Sequence, residues 1–80
     1  MTVLRLFAAA REAAGTDRAD LPGSTVGAVL SGAVERFGDD FARVLAGSRV
    51  WLNGEPAAPE QPVAEGDELA VLPPVSGGWA

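Results

Sequence analysis

The chain has 80 residues, 48% of them hydrophobic and 21% charged, with a net charge of −5; this suits one domain with a single small core and is not the composition of a disordered segment. All six basic residues are arginines spread singly along the chain, and Cys and His are absent. Disulfides, thiolate chemistry and the usual metal ligands and general bases are thereby excluded, so no metal site is expected, and neither nucleic acid nor an anionic membrane is expected as a partner.

Thr2 to Phe7 predicts a first strand with Leu4 and Leu6 on one side and Val3, Arg5 and Phe7 on the other, and Arg5 marks the second face as open. Ala8 to Gly15 has high helix propensity but few large apolar anchors, so a turn or loose helical turn ending at Gly15 is expected. Arg18 to Leu21 reads as a short strand closing a hairpin-like pair with the first, and Pro22-Gly23 ends it. Thr25 is a good N-cap, after which Val26, Val29, Leu30, Ala33, Val34 and Phe37 follow at the spacing of an amphipathic helix that Gly38 stops. Phe41, Val44 and Leu45 continue the stripe for one further turn, to Gly47-Ser48. By periodicity both pieces are core elements.

Arg49 to Leu52 is the next strand, Asn53-Gly54 a two-residue hairpin turn, and Glu55-Pro56-Ala57 the return. Pro59, Pro62 and Gly66 punctuate an irregular stretch before the last strand, Glu68 to Leu72, with Leu69 and Val71 on one face and Ala70 and Leu72 on the other. Pro73-Pro74 then ends the ladder, since neither residue has an N–H to donate. The order is an α+β pattern, a mixed sheet of four to five strands with one main helix packed across it. Residues 1–72 are expected to form the domain and 73–80 a flexible tail. No segment has the length of a membrane span and the first residues lack a secretory signal, which makes a cytoplasmic protein the expectation.

The tail places a Gly-Gly pair on a stiff stalk just beyond an apolar strand, where a backbone carboxyl group could be presented as a substrate. Pro73 and Pro74 favour an extended stalk, which lowers the entropy lost on insertion into a partner. Gly77 and Gly78 lack a Cβ, so they could thread a narrow channel that side chains would block; a frayed terminus would also contain Gly and Ser. Strand parity sets Phe7, Trp51 and Leu72 opposite Leu6, Leu52 and Val71, which would make them an exposed apolar patch, although Phe7 or Trp51 taken singly fits a cap on the core edge equally well. The acidic balance fits solubility, or docking onto a basic groove. Glu65, Asp67 and Glu68 lack calcium-loop spacing and read as turn formers. No Ser lies in a nucleophile elbow and no phosphate-binding Gly-rich loop follows a strand, so the chain is not expected to be an enzyme and has no catalytic residues of its own.

Leu6-Phe7-Ala8, Arg11-Glu12 and Gly15 near the start, Asn53-Gly54 in the middle, and Gly66-Asp67-Glu68 through Pro73-Pro74-Val75-Ser76-Gly77-Gly78 near the end resemble the MoaD/ThiS family of ubiquitin-like sulfur carriers. The Pro-Pro-Val-Ser-Gly-Gly block looks more like the molybdopterin synthase small subunit than the thiamine-pathway carrier. The resemblance implies a β-grasp fold and a defined chemistry on Gly78. An E1-like enzyme uses ATP to adenylate the terminal glycine, and a sulfur donor then displaces AMP to leave a thiocarboxylate. The carrier binds no cofactor itself. It also implies that Phe7 and Leu72 pack against a partner such as the molybdopterin synthase large subunit or another sulfur-accepting enzyme. Trp51 joins them by parity. Arg11 matches an arginine of the family's first loop, suited either to an ion pair with the partner or to solvent.

One departure matters. Trp79-Ala80 follow Gly78 and keep its carboxyl group in a peptide bond, so the chain as written is expected to be dormant until a peptidase cleaves between Gly78 and Trp79. Such trimming also occurs with carriers of cysteine or secondary-metabolite pathways. Three readings are therefore open: a trimmed sulfur carrier for molybdopterin or, alternatively, for cysteine, thiamine or secondary-metabolite biosynthesis; an uncleaved ubiquitin-like binding module; and a modifier conjugated to lysines of other proteins. The chain has no Lys, so it could not build side-chain-linked polymers of itself.

Overall fold

Alternation decides which way the first strand faces. In β1, Thr2–Leu6, residues Thr2, Leu4 and Leu6 are buried and Val3 and Arg5 half-buried, a period of two that puts one face against a core and leaves the other open. The computed structural model describes residues 1–74, and over them the order continues as α1 (Ala8–Ala14), β2 (Arg18–Leu21), α2 (Val26–Phe37), α3 (Asp39–Ala46), β3 (Arg49–Leu52), β4 (Glu55–Pro56) and β5 (Glu68–Leu72). The five strands form one mixed sheet in the order β2-β1-β5-β3-β4. β1 and β5 lie parallel at its centre, in the register Leu4↔Leu69 and Leu6↔Val71, and the other pairs are antiparallel.

Two sequence expectations are corrected. Ala8 to Ala14 is a complete seven-residue helix, closed by Gly15 in the left-handed conformation, whose N–H donates to the Arg11 carbonyl. It needs only one buried side chain, Ala10, because small residues let the helix approach the sheet closely. This helix stands between β1 and β2, so the two strands are antiparallel neighbours without forming a simple hairpin. The second correction is α3, an eight-residue helix rather than one added turn, with Asp39 and Asp40 in its first turn where the helix dipole favours them. Phe41 anchors it, fully buried, its ring 5.3 Å from that of Phe37 at a tilt of 60°.

The longest helix, α2, starts where the Thr25 hydroxyl accepts from the Ala28 N–H at 3.1 Å. Val26, Val29 and Ala33 face the sheet, where they join Leu4, Leu6, Leu52, Leu69 and Val71 in one core. The irregular stretch after β4 is laced to the start of α2: the Val26 and Gly27 N–H groups donate to the Gln61 and Pro59 carbonyls, and the Val63 N–H to that of Ser24. All helices cover the same side of the sheet, and among the described residues none is long and apolar enough to cross a membrane.

Candidate docking face and carboxyl-terminal exit

The site is built around the last strand. Because β5 is central, its C-terminal end at Leu72 emerges from the middle of the sheet, next to the end of β1 and the start of β3. Pro73 is half-buried and Pro74 exposed, so the chain reaches solvent within two residues of the ladder. Val75 to Ala80, and with them Gly77, Gly78 and Trp79, lie outside the described residues.

The uncovered sheet face carries the residues of opposite parity. Arg18, Arg5, Ala70, Trp51 and Pro56 form one row across the five strands. Leu72 pairs with Arg49 one step nearer the exit, and Val3 pairs with Glu68 and Asp20 one step farther from it. Phe7 sits just past β1 as the N-cap residue of α1 and is 40% exposed, the largest exposure of any aromatic side chain among the described residues. The structure thus brings Phe7, Trp51 and Leu72 to one open face around the exit, with Ala70 in register between Arg5 and Trp51. Arg11 is exposed on α1, one turn beyond Phe7 and off the sheet face itself.

Local features fix this surface. The Arg5 guanidinium lies 5.9 Å from the centre of the Phe7 ring and 3.5 Å from a Glu68 carboxylate oxygen, so one arginine braces both the aromatic ring and the neighbouring strand. Ala8, directly after Phe7, has φ of 49°, a region that L-residues with a Cβ enter at a cost of about 1 kcal/mol. That kink turns the chain from strand to helix at the aromatic residue. Neither Ala8 nor the cations Arg18 and Arg49 is marked by a motif; the arginines could have been placed by parity against Ala19 and Val50.

The three acidic residues near the last strand are structural. Asp67 accepts from the Ala64 N–H at 2.7 Å and from the Asn53 side-chain amide at 3.1 Å, while Asn53 Oδ1 accepts from the Glu68 N–H at 3.0 Å. These bonds, the Ala64 N–H first and Asn53 second, hold the Asp67 carboxyl below its ordinary pKa. They tie the Asn53-Gly54 turn, whose residues have φ of 50° and 87°, to the entry of β5. Glu65 pairs with the Met1 amino group and Glu68 with Arg5. Among the described residues no group of three or more Asp or Glu could hold a metal ion. An apolar groove of about 350 Å³ between α2 and α3, lined by Leu30, Ser31, Val34, Glu35 and Leu45, lies on the helical side, away from the exit face.

Comparison with known proteins gives this geometry its context. Residues 4–78 match the ThiS family, and the match ends at Gly78. Small archaeal modifier protein 1 of Haloferax volcanii is 44% identical over 92% of this chain and 97% of its own length. The crystal structure of that organism's SAMP1 superposes with a TM-score of 0.82 at 39% identity, covering 96% of this chain and 98% of the other. A Pyrococcus furiosus structure described as subunit 1 of a molybdopterin converting factor superposes with a TM-score of 0.78 at 25% identity, covering 92% and 97%. A chain matched over nearly its whole length, with a β-grasp sheet whose central strand leads to a diglycine, belongs to the ThiS family of ubiquitin-like small modifiers and sulfur carriers.

Proposed function

We propose that this chain is a sulfur carrier, a cosubstrate whose reacting atom is the Gly78 carboxyl carbon. A peptidase first hydrolyses the Gly78–Trp79 bond. An ATP-using E1-like enzyme then joins the freed carboxylate to AMP with release of pyrophosphate, and a sulfur donor displaces AMP to leave a thiocarboxylate. At neutral pH the thiocarboxylate sulfur is a better nucleophile than a carboxylate oxygen; it attacks an acceptor held by a partner enzyme, and water then cleaves the acyl–sulfur bond, leaving sulfur on the acceptor and returning the Gly78 carboxylate. The acceptor we favour is the molybdopterin precursor, held by a synthase large subunit, in line with the Pyrococcus neighbour. The fold serves as handle and stalk, and catalysis belongs to the partners.

One observation carries this reading: the family match runs through Gly78 and stops there, while the central strand β5 leads directly into Pro73-Pro74. Gly78 is six residues past Leu72 and so can stand up to about 20 Å from the sheet. That reach spans a channel into a nucleotide site while Phe7, Leu72 and Trp51, with Arg11 at the rim, stay at its mouth.

A second reading shares the first step. The 44% identical relative is a small archaeal modifier, and the same Gly78 adenylate could be attacked by a target lysine amine, forming an amide and releasing AMP. This chain, which lacks Lys, would then be a donor only at its side chains. The experiment that tests the shared first step incubates residues 1–78 and 1–80 with an adenylating enzyme of the family and ATP, followed by intact mass; adding sulfide and a lysine-bearing protein then separates the readings, the carrier reading predicting a thiocarboxylate and the modifier reading an amide. Activation of the shorter form alone is expected. Equal activation of residues 1–80, or of neither, contradicts the proposal.

A further inference from the structure

We propose that the apolar groove between α2 and α3 seats the indole of this chain's own Trp79, which folds the untrimmed tail back onto the helical side. The groove encloses about 350 Å³ and is lined by Leu30, Val34 and Leu45, all half-buried, with Ser31 and Glu35 exposed at its rim. That volume suits a single large side chain rather than a docked helix or strand. Leu30 and Val34 stand one helical turn apart on α2, as do Ser31 and Glu35, so an apolar row and a polar row run side by side. Among the described residues neither Ser31 nor Glu35 makes a side-chain hydrogen bond or an ion pair. An indole matches both rows: its rings cover the leucines and the valine, and its one N–H needs an acceptor once water is excluded. The Ser31 hydroxyl and the Glu35 carboxylate are acceptors. A leucine or phenylalanine would leave both without a donor.

The tail can reach this place. Leu45 precedes Arg49 by four residues, and Arg49 is the register partner of Leu72, where the tail departs. Four residues span at most about 14 Å and a register pair about 5 Å, which puts the Cα atoms of Leu45 and Leu72 within about 20 Å of each other. The path is shorter still because the Ser48 N–H donates to the Leu45 carbonyl at 3.0 Å, closing the turn between α3 and β3. Trp79 lies seven residues past Leu72 and so reaches up to about 23 Å. Gly77 and Gly78 stand directly before it, and residues without a Cβ permit the reversal that brings the indole round the sheet end. Tethering supplies an effective concentration in the millimolar range over so short a span, so even a weak contact is substantially populated. A second copy offering the same side chain has no such advantage. The Trp79-Ala80 extension thereby acquires a role besides masking the Gly78 carboxyl group. It draws the Gly78–Trp79 bond toward the helices, and cleavage there removes the indole and frees the tail. The contact itself does not rest on what happens to Gly78 afterwards.

Trp51→Phe in residues 1–80 leaves Trp79 as the sole tryptophan and makes it the reporter. Its emission should be blue-shifted from that of N-acetyltryptophanamide and resist acrylamide quenching, unchanged over a wide range of protein concentration. Adding Leu45→Glu should return both to the values of the free amide; Val34→Ala/Leu45→Ala serves if Leu45→Glu disturbs folding by circular dichroism. Methyl NMR needs no change to the body of the protein. Between wild-type residues 1–80 and Trp79→Ala, the methyl signals of Leu30, Val34 and Leu45 should move by ring current while that of Val3 on the open sheet face stays in place. Emission equal to the free amide, or groove methyls that do not respond, overturns the inference. So does a response at Val3 and Leu72 instead, and so does a shift that appears only as concentration rises, which would assign the groove to a second copy. Activation of trimmed residues 1–78 is measured separately, so the carrier reading and the groove assignment fail or stand independently.

Discussion

Two phenylalanines of the same size occupy opposite environments, and truncating each separates stability from docking. Phe41 is fully buried in the core, where α3 packs on α1 and α2, so Phe41→Ala opens a cavity costing about 3–5 kcal/mol. A domain of this length is stable by roughly 4–12 kcal/mol, and the variant should lose a large share of its urea midpoint or fail to fold. Phe7 is 40% exposed. Phe7→Ala gives up only part of its burial, about 1 kcal/mol, and the stacking of Arg5, about 0.5–1 kcal/mol at an exposed site. It should therefore fold. If its ring is an anchor in a partner's pocket, its loss from the complex costs about 2 kcal/mol or more, read as a roughly 30-fold rise in KM with an adenylating enzyme. Urea denaturation and activation kinetics on residues 1–78 make the comparison. A Phe7→Ala protein as unstable as Phe41→Ala, or one folded with a wild-type KM, refutes the reasoning.

The other predictions concern the scaffold. Asp67 has a lowered pKa because the Ala64 N–H and then Asn53 hydrogen-bond its carboxylate; this contribution is present above the unfolded carboxylate value and lost as pH falls through the lower folded value. Acid titration of wild type should thus show a loss of stability below about pH 4, and Asp67→Asn should flatten that limb. Ala8→Gly relieves the φ of 49° and should raise stability by up to about 1 kcal/mol in a urea titration; an unchanged or lower midpoint counts against strain at the strand-to-helix kink. Gly23→Ala has no such room, since the new Cβ would stand 2.8 Å from Val29 Cγ2 and 2.9 Å from the Val29 nitrogen at φ of 149°. A loss of 2 kcal/mol or more is expected from overpacking at the start of α2, at the upper part of the roughly 1–3 kcal/mol range for such changes.

Much of this fold can be read from residue spacing. The alternation of Leu4 and Leu6, and of Leu69 and Val71, gives both the core face and the open face, and Thr25 and Gly38 bound the main helix. The helix α1 is harder to read, because its packing rests on Ala10 and on a left-handed Ala8 that no propensity favours. In α3 a lone deep anchor, Phe41, disguises two turns as one. The parallel pairing of β1 with β5 has no local signal in the residues of either strand and exists only in the assembled sheet. The clamp between Asn53 and Asp67 joins residues fourteen apart through a geometry that exists only after the sheet forms. Net charge, −5 over the chain, does not say where the cations stand; strand pairing puts Arg5, Arg18 and Arg49 on the open face, each at a position that alternates with a core residue.

The claim on which function depends is that Gly78 becomes a free, activated carboxyl group. Intact mass of the protein recovered from its own cells during active sulfur metabolism tests it most directly. The account predicts a species lacking Trp79 and everything after it, with a fraction carrying one oxygen of the Gly78 carboxyl replaced by sulfur. A population that retains Trp79-Ala80 throughout, with neither sulfur nor a conjugate at Gly78, contradicts it.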